Sequence, residues 1–321
     1  MSTWAGRSVV SAQALTRTDI CDVVRVAEEL REKGTAASEV CAGNVVALLF
    51  LEASTRTRCS FEAAALRLGA RVFNVLGGGS SSLKKGESLS DTVRTLSQYA
   101  DCLVLRQPQK GAMEALIGQD QIPLLNAGDG AGEHPTQALL DVYTMLREWR
   151  GASMSPVSLD GVRVTLVGDL KHGRTVHSLA VMLGTVCTQA LTLTLVSPES
   201  LRMPEEVLQR VRHVAPHVHI ELADNLNVEV LASTDVLYCT RIQKERFADA
   251  AHYEQVRHAF CLDAALMQHA PADMIVMHPL PRVDEIAPEV DVDSRAVYFK
   301  QVRNGMYARM ALLALVLGRA S

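Results

Sequence analysis

The sequence predicts an α/β protein built from two doubly wound parallel-sheet domains. Three observations carry that prediction. Short apolar runs of strand length alternate along the chain with longer stretches of helical spacing. Loops rich in Gly, Ser, Thr and Arg follow several of those runs, at the carboxyl strand ends where parallel sheets hold ligands. The 321 residues are also enough to bury two cores rather than one.

The opening helix is predicted over 18–33. Asp19 sits near its start, Ile20, Val23, Val24, Ala27 and Leu30 form its apolar stripe, and Gly34 stops it. The apolar run 45–50 reads as a strand buried on both faces. Phe61, Ala64, Ala65 and Leu68 then recur at helical spacing, with Gly69 as the stop. The turn between strand and helix carries hydroxyls at Ser54, Thr55 and Thr57 and guanidinium groups at Arg56 and Arg58. A helix N-terminus offers N–H groups and a positive dipole end to an anion. Arginine forks match phosphate geometry. A phosphate or acyl phosphate is therefore the natural guest; on spacing alone, an N-cap serine beside two solvated arginines explains the turn equally well.

The second strand is predicted over 71–76. Gly77-Gly78-Gly79-Ser80-Ser81-Ser82 then breaks all periodicity and reads as a surface loop, with Lys84 and Lys85 at its tip. Helical spacing resumes over 88–100. The third strand is 102–105, with Arg106 at its carboxyl end. The fourth is 122–125, running into a loop over 126–137 that holds His134 and Gln137. A helix over 138–149 leads into the boundary loop 150–160, giving domains of 1–148 and 149–302. The second block repeats the alternation, with strands at 162–167, 191–196, 219–222, 236–239 and 274–277. A last apolar helix covers 306–317.

Gly168-Asp169-Leu170-Lys171-His172-Gly173-Arg174-Thr175 follows a strand and opens a helix. It nearly spells a nucleotide-binding P-loop, but Arg174 stands where the lysine is required. An ATPase is the minor reading, because a guanidinium does not replace that compact point charge. Arg174 suits a planar carboxylate, which it grips at two points. Arg241, Gln243 and Arg246 add polar and cationic groups at another strand end. In Met277-His278-Pro279-Leu280-Pro281-Arg282 the prolines remove donors and leave backbone carbonyls on offer, which suits an –NH2 group. His278 itself reads as a structural histidine rather than a base.

The net charge of −4 gives no electrostatic reason to expect nucleic acid. Seven dispersed cysteines without a C-x-x-C pair fit a reducing, cytoplasmic compartment and argue against a disulfide frame. No apolar run reaches membrane-spanning length. The sequence shows no metal cluster, no nucleophilic Ser–His or Cys–His pattern and no complete dinucleotide fingerprint, so no metal or cofactor is expected. What remains is transfer from an activated phosphate compound to an acidic acceptor by positioning and electrostatics.

Those same residues resemble a known family. Ser54-Thr55-Arg56-Thr57-Arg58 and His134-Pro135-Thr136-Gln137-Ala138-Leu139-Leu140-Asp141 resemble the two shared blocks of the aspartate/ornithine carbamoyltransferases. Lys84-Lys85-Gly86-Glu87, Thr240-Arg241-Ile242-Gln243-Lys244-Glu245-Arg246 and His278-Pro279-Leu280-Pro281-Arg282 are similar to the aspartate branch, whereas the ornithine branch has a cysteine motif where this chain has His278-Pro279.

The resemblance implies carbamoyl phosphate and L-aspartate as substrates, with N-carbamoyl-L-aspartate and phosphate as products, at the committed step toward the pyrimidine ring. It implies a carbamoyl-phosphate domain first and an aspartate domain second, with the C-terminal helix, 303–321, packing back on the first. Ser54, Thr55, Arg56, Thr57, Arg106, His134, Gln137, Leu280, Ser81 and Lys85 would bind carbamoyl phosphate. Arg56, Thr57, Lys85, Arg106 and His134 would carry the catalysis. Lys85, Arg174, Arg241, Gln243 and Leu280 would hold aspartate, and Glu52, with Arg174 and Arg246, would drive domain closure. A homotrimer is implied, with Lys85 and a serine of the same loop reaching in from the neighbour. Spacing favours Ser81 over Ser80 and Ser82, although the Gly77-Gly78-Gly79 run departs from the family pattern. Regulatory chains or fused pyrimidine-pathway domains are admitted as partners; nucleic acid and membranes are not. The alternatives are a carbamoyltransferase for another amino acid and a non-catalytic homologue that only binds carbamoyl phosphate.

Overall fold

The computed structural model describes residues 4–77, 86–118, 122–130, 132–151, 157–244, 247, 249–256 and 260–320. Ser81, Lys85 and Arg246 lie outside the described residues. The chain divides into two compact units, Met1–Leu140 with Arg303–Ser321, and Asp141–Val302.

The first unit contains α1 (Arg17–Lys33), β1 (Val45–Phe50), α2 (Thr55–Arg67), β2 (Arg71–Leu76), α3 (Leu89–Ser97), β3 (Cys102–Gln107), β4 (Leu124–Asp129) and the start of α4 (Pro135–Glu148). Its four strands are all parallel, in the order β2-β1-β3-β4. The central strands β1 and β3 are apolar on both faces, so Val46, Leu48, Leu49, Leu103 and Leu105 are fully buried. Burying such a side chain contributes roughly 1.5–3 kcal/mol. Thr16 and Asp19 form a reciprocal capping box at the start of α1, and Arg7 pairs with the same Asp19 at 2.6 Å.

The second unit holds the rest of α4, then β5 (Val162–Val167), α5 (Arg174–Val186), β6 (Leu191–Val196), α6 (Glu205–Val214), β7 (Val218–Ala223), α7 (Val228–Ala232), β8 (Val236–Cys239), α8 (Ala250–Val256), α9 (Ala264–Met267), β9 (Ile275–Met277) and the first turn of α10 (Tyr298–Val316). Its sheet is also all parallel, in the order β7-β6-β5-β8-β9. The predicted fold class is the one observed. Among the described residues no helix is long and apolar enough to cross a membrane.

Several boundaries differ from the sequence prediction, among them those of β4, α4 and α10. The fourth strand starts at Leu124, because Pro123 has no N–H for the ladder, and it continues to Asp129. Its extension is stabilised by Val9, which pairs with Leu125, and by Asn126, whose amide donates to the Val10 carbonyl at 2.7 Å. Helix α4 begins at Pro135, whose fixed φ suits a first helical position. Helix α10 begins at Tyr298, eight residues before 306. Gly305 does not interrupt it; a Cβ there would lie 2.8 Å from Leu140 Cδ2, so the glycine permits close packing on α4.

Both sheets have one point where the chain changes direction across the sheet, between β1 and β3 in the first and between β5 and β8 in the second. A crevice forms at such a point, beyond the carboxyl ends of the strands.

Candidate active site

In the first unit the β1–β3 register sets Phe50 opposite Arg106, and the Leu51 N–H donates to the Arg106 carbonyl at 2.8 Å. Arg106 is thereby fixed beside the turn that opens α2. Ser54 is the extended N-cap of that helix, its side chain makes no capping bond, and the first turn carries no acid. The helix end thus keeps its positive character for an anion. Thr55 and Arg56 are exposed, while Thr57 is buried. Arg58 points along the helix and pairs with Glu62 at 2.9 Å.

Arg106 is only 8% exposed. Its Nη1 donates to the Ala127 carbonyl at 3.2 Å, and its Nη2 lies 3.2 Å from the Glu52 carboxylate. Glu52, read from the sequence as a closure residue beside Arg174 and Arg246, therefore sits against a cation of its own unit.

Residues 129–134 bring His134 to the same place. Gly130 turns with φ +53, where a Cβ would meet the Pro108 carbonyl at 2.0 Å, so only glycine fits. The Asp129 carboxylate accepts the Gly111 and Glu133 N–H groups. Glu133 in turn accepts from Ser11 Oγ at 3.0 Å, the Ala12 N–H at 2.6 Å and Gln13 Nε2 at 2.9 Å. Held at both ends, His134 is buried with Nε2 3.5 Å from Thr57 Oγ1 and Nδ1 3.4 Å from Thr136 Oγ1. Gln137, in the first turn of α4, is also buried and donates its N–H to the His134 carbonyl at 2.9 Å. Sequence reasoning missed Asp129 and Glu133. Their signal was two carboxylates inside a glycine-rich loop, where free backbone N–H groups need acceptors.

In the second unit Thr240 donates its N–H to the Val167 carbonyl at 2.8 Å, joining the ends of β5 and β8. Gly168, at φ +121, allows this approach; a Cβ would lie 2.0 Å from the Thr240 carbonyl. Asp169 is fully buried inside the glycine turn. It accepts the His172 N–H at 3.0 Å, His172 Nδ1 at 3.1 Å and the Gln243 N–H at 3.4 Å. A carboxylate thus occupies the ground that a P-loop gives to phosphate, which argues against the ATPase reading. Arg174 starts α5 and Arg241 follows β8, so both residues belong to the strand ends on either side of the point where the chain changes direction. Both are partly exposed, as is Gln243.

After β9 the chain turns through His278 and Leu280. Leu280 is, among the described residues, the single non-glycine with positive φ, at +53. Its N–H donates to His278 Nδ1 at 2.7 Å, and His278 Nε2 meets Glu285 Oε1 at 2.7 Å. Burial opposes ionisation of Glu285, but this bond and the Val283 N–H hold its carboxyl below the ordinary range. Among the described residues no group of three or more His, Cys, Asp or Glu side chains is arranged to hold a metal ion.

The aspartate/ornithine carbamoyltransferase carbamoyl-P binding domain matches residues 7–147, and the Asp/Orn binding domain of the same family matches 160–316. The aspartate carbamoyltransferase catalytic subunit of Thermococcus gammatolerans is 45% identical over 320 residues, covering 98% of this chain and 99% of that protein. The multifunctional protein pyr1-3 of Dictyostelium discoideum is 46% identical over 98% of this chain, which spans only 14% of that protein's length. The crystal structure of aspartate transcarbamoylase from Trypanosoma cruzi in complex with carbamoyl phosphate and aspartate superposes with a TM-score of 0.90 at 44% identity, covering 98% of each chain. With both family domains matched in order along nearly its whole length, this chain belongs to the aspartate/ornithine carbamoyltransferase family.

Proposed function

We propose that the chain transfers the carbamoyl group of carbamoyl phosphate to the amine of L-aspartate, giving N-carbamoyl-L-aspartate and phosphate, the committed step of pyrimidine synthesis. The observation that supports it most is the register setting Arg106 opposite Phe50, beside an uncapped helix N-terminus and His134. This is a cationic, donor-rich site for an acyl phosphate. Ser54, Thr55, Arg56, Thr57, Arg106 and Lys85 hold the phosphate and the charge it gathers on leaving. Thr57, Arg106 and His134 face the carbamoyl oxygen as negative charge builds on it, His134 as a neutral donor. Gln137 and the Leu280 carbonyl take the –NH2 group. Arg174, Arg241 and Gln243 orient aspartate so that its amine attacks the carbonyl carbon. The C–O bond to phosphate then breaks, and the departing phosphate takes the amine proton.

The paired Arg174 and Arg241 favour an acceptor with two carboxylates over ornithine. The domains proposed are 1–148 with 303–321 for carbamoyl phosphate and 149–302 for aspartate. A cytoplasmic homotrimer completes the reading. Lys85 and Ser81 come from the neighbouring subunit, and Glu52, Arg174 and Arg246 act in closure. The seven unbridged cysteines support a reducing compartment.

Phosphate release, measured with carbamoyl phosphate and a panel of amino acids, tests the reading. Release stimulated by aspartate alone is expected. Stimulation by a different amino acid would replace the acceptor, and no release with any would leave a binding protein.

A further inference from the structure

His278 is almost completely buried at the end of β9, and three elements hold it. Its backbone N–H donates to Gln301 Oε1 of α10 at 2.9 Å. Gln301 Nε2 donates to Asp141 Oδ1 of α4 at 2.7 Å, and the Tyr238 hydroxyl of β8 donates to Asp141 Oδ2 at 2.8 Å. All four residues are at most 2% exposed, so the network is rigid and satisfied. The ring is oriented with equal economy. Because Nδ1 accepts the Leu280 N–H, it carries no proton; Nε2 does, and donates to Glu285. Glu285 Oε2 also accepts the Val283 and Asp284 N–H groups at 3.1 Å each, closing the loop. The backbone this fixes is the left-handed conformation of Leu280, which a leucine adopts only when its surroundings impose it.

We propose that His278 is a positioning residue for the carbamoyl donor: its Nδ1, aligned by Glu285, sets the direction of the Leu280 carbonyl. The proposal rests on the reading above that this carbonyl takes the carbamoyl –NH2. It assigns His278 a task that its burial alone would not suggest.

Two substitutions separate the two ends of the ring. In His278→Asn, Oδ1 stands where Nδ1 stood and accepts the N–H two residues on, as asparagine does in turns. In His278→Gln the longer side chain reaches toward Glu285 but offers no acceptor to Leu280. The KM for carbamoyl phosphate is expected to stay within about threefold in His278→Asn and to rise roughly tenfold or more in His278→Gln, the cost of one lost hydrogen bond. The inhibition constant of inorganic phosphate, which the other unit's residues hold, should not move in either. A purely structural role would shift both constants together. Glu285→Gln supplies a milder test, since its amide opposes either the Nε2–H or the Val283 and Asp284 N–H groups. A rise of about threefold in the same KM is expected. If the wild-type enzyme is active and Asn and Gln at 278 give the same KM, or Glu285→Gln leaves it unchanged, the positioning role is overturned. If the wild type transfers no carbamoyl group, it is the functional reading that fails.

Discussion

The Arg106 guanidinium and the Glu52 carboxylate lie 3.2 Å apart, the first buried and the second one-third exposed. Arg106, beside the turn that opens α2, thus has an acid of its own unit against it. If Arg106 holds phosphate, as proposed, the incoming group would compete for the same guanidinium and leave Glu52 available for a new cation. Glu52→Ala should therefore keep the fold but lower kcat by roughly 10- to 100-fold, if its new partners are needed to assemble the site. Steady-state rates alongside a melting curve check this; wild-type turnover would reduce Glu52 to a counter-ion.

His134 Nε2 lies 3.5 Å from Thr57 Oγ1, at the limit of hydrogen-bond distance, so both groups can turn a proton toward an oxyanion beside them. Its loss should appear mainly in kcat. His134→Ala is expected to cost roughly 100- to 1000-fold in kcat, with KM for carbamoyl phosphate changed only a few-fold. An effect confined to KM would make it a ground-state contact instead.

Subunit sharing is tested by complementation. If Lys85 enters the neighbour's site, a trimer mixing Arg106→Ala and Lys85→Ala subunits contains one intact site. Random mixing of the two inactive variants should then restore about a quarter of wild-type activity. A mixture still inactive after confirmed exchange would place both residues in one chain's site.

Asp160 gives a stability prediction far from the chemistry. Burial works against its ionisation, yet hydrogen bonds from Ser158 and from the Gln189 and Thr188 N–H groups outweigh it and hold the carboxyl down to about 2. A folded value below the unfolded one means that the stabilisation is complete above the ordinary carboxylate pKa of about 3.9. It is lost as pH falls toward 2. Asp160→Ala should lower the urea midpoint at pH 7, and the gap from wild type should close between pH 4 and pH 2. A gap independent of pH would assign the effect to packing.

Most of the strands were legible because parallel strands covered on both faces are largely apolar: β1 is so throughout, and β5 and β6 interrupt their valines and leucines only with Arg163, Thr165, Thr192 and Thr194. The extension of β4 through Asn126, Ala127 and Gly128 was not, since small and polar residues there mimic a loop. Their burial depends on Val9, more than a hundred residues earlier in the chain. Nor was the start of α10, since the glycine at 305 lies within the helix, packed against Leu140, rather than before it. At the site, the arginines and His134 could be named because their chemistry is unusual after a strand. Asp129, Glu133 and Asp169 could not, because an acid that serves only to satisfy backbone N–H groups has no spacing of its own.

Helix α10 starts with one unit and finishes with the other, so part of the first unit is synthesised only after the whole of the second. Residues 141–302 must leave the ribosome in between, a delay of roughly 8–30 s at ordinary elongation rates. During that interval the nascent first unit lacks the helix that meets Arg31 of α1, Ser60 of α2 and Leu140 of α4, and the surface it covers stays open to water and to chaperones. A stop codon just before Arg303 would make that transient state permanent, so the integrity of the first unit depends on translation through the second.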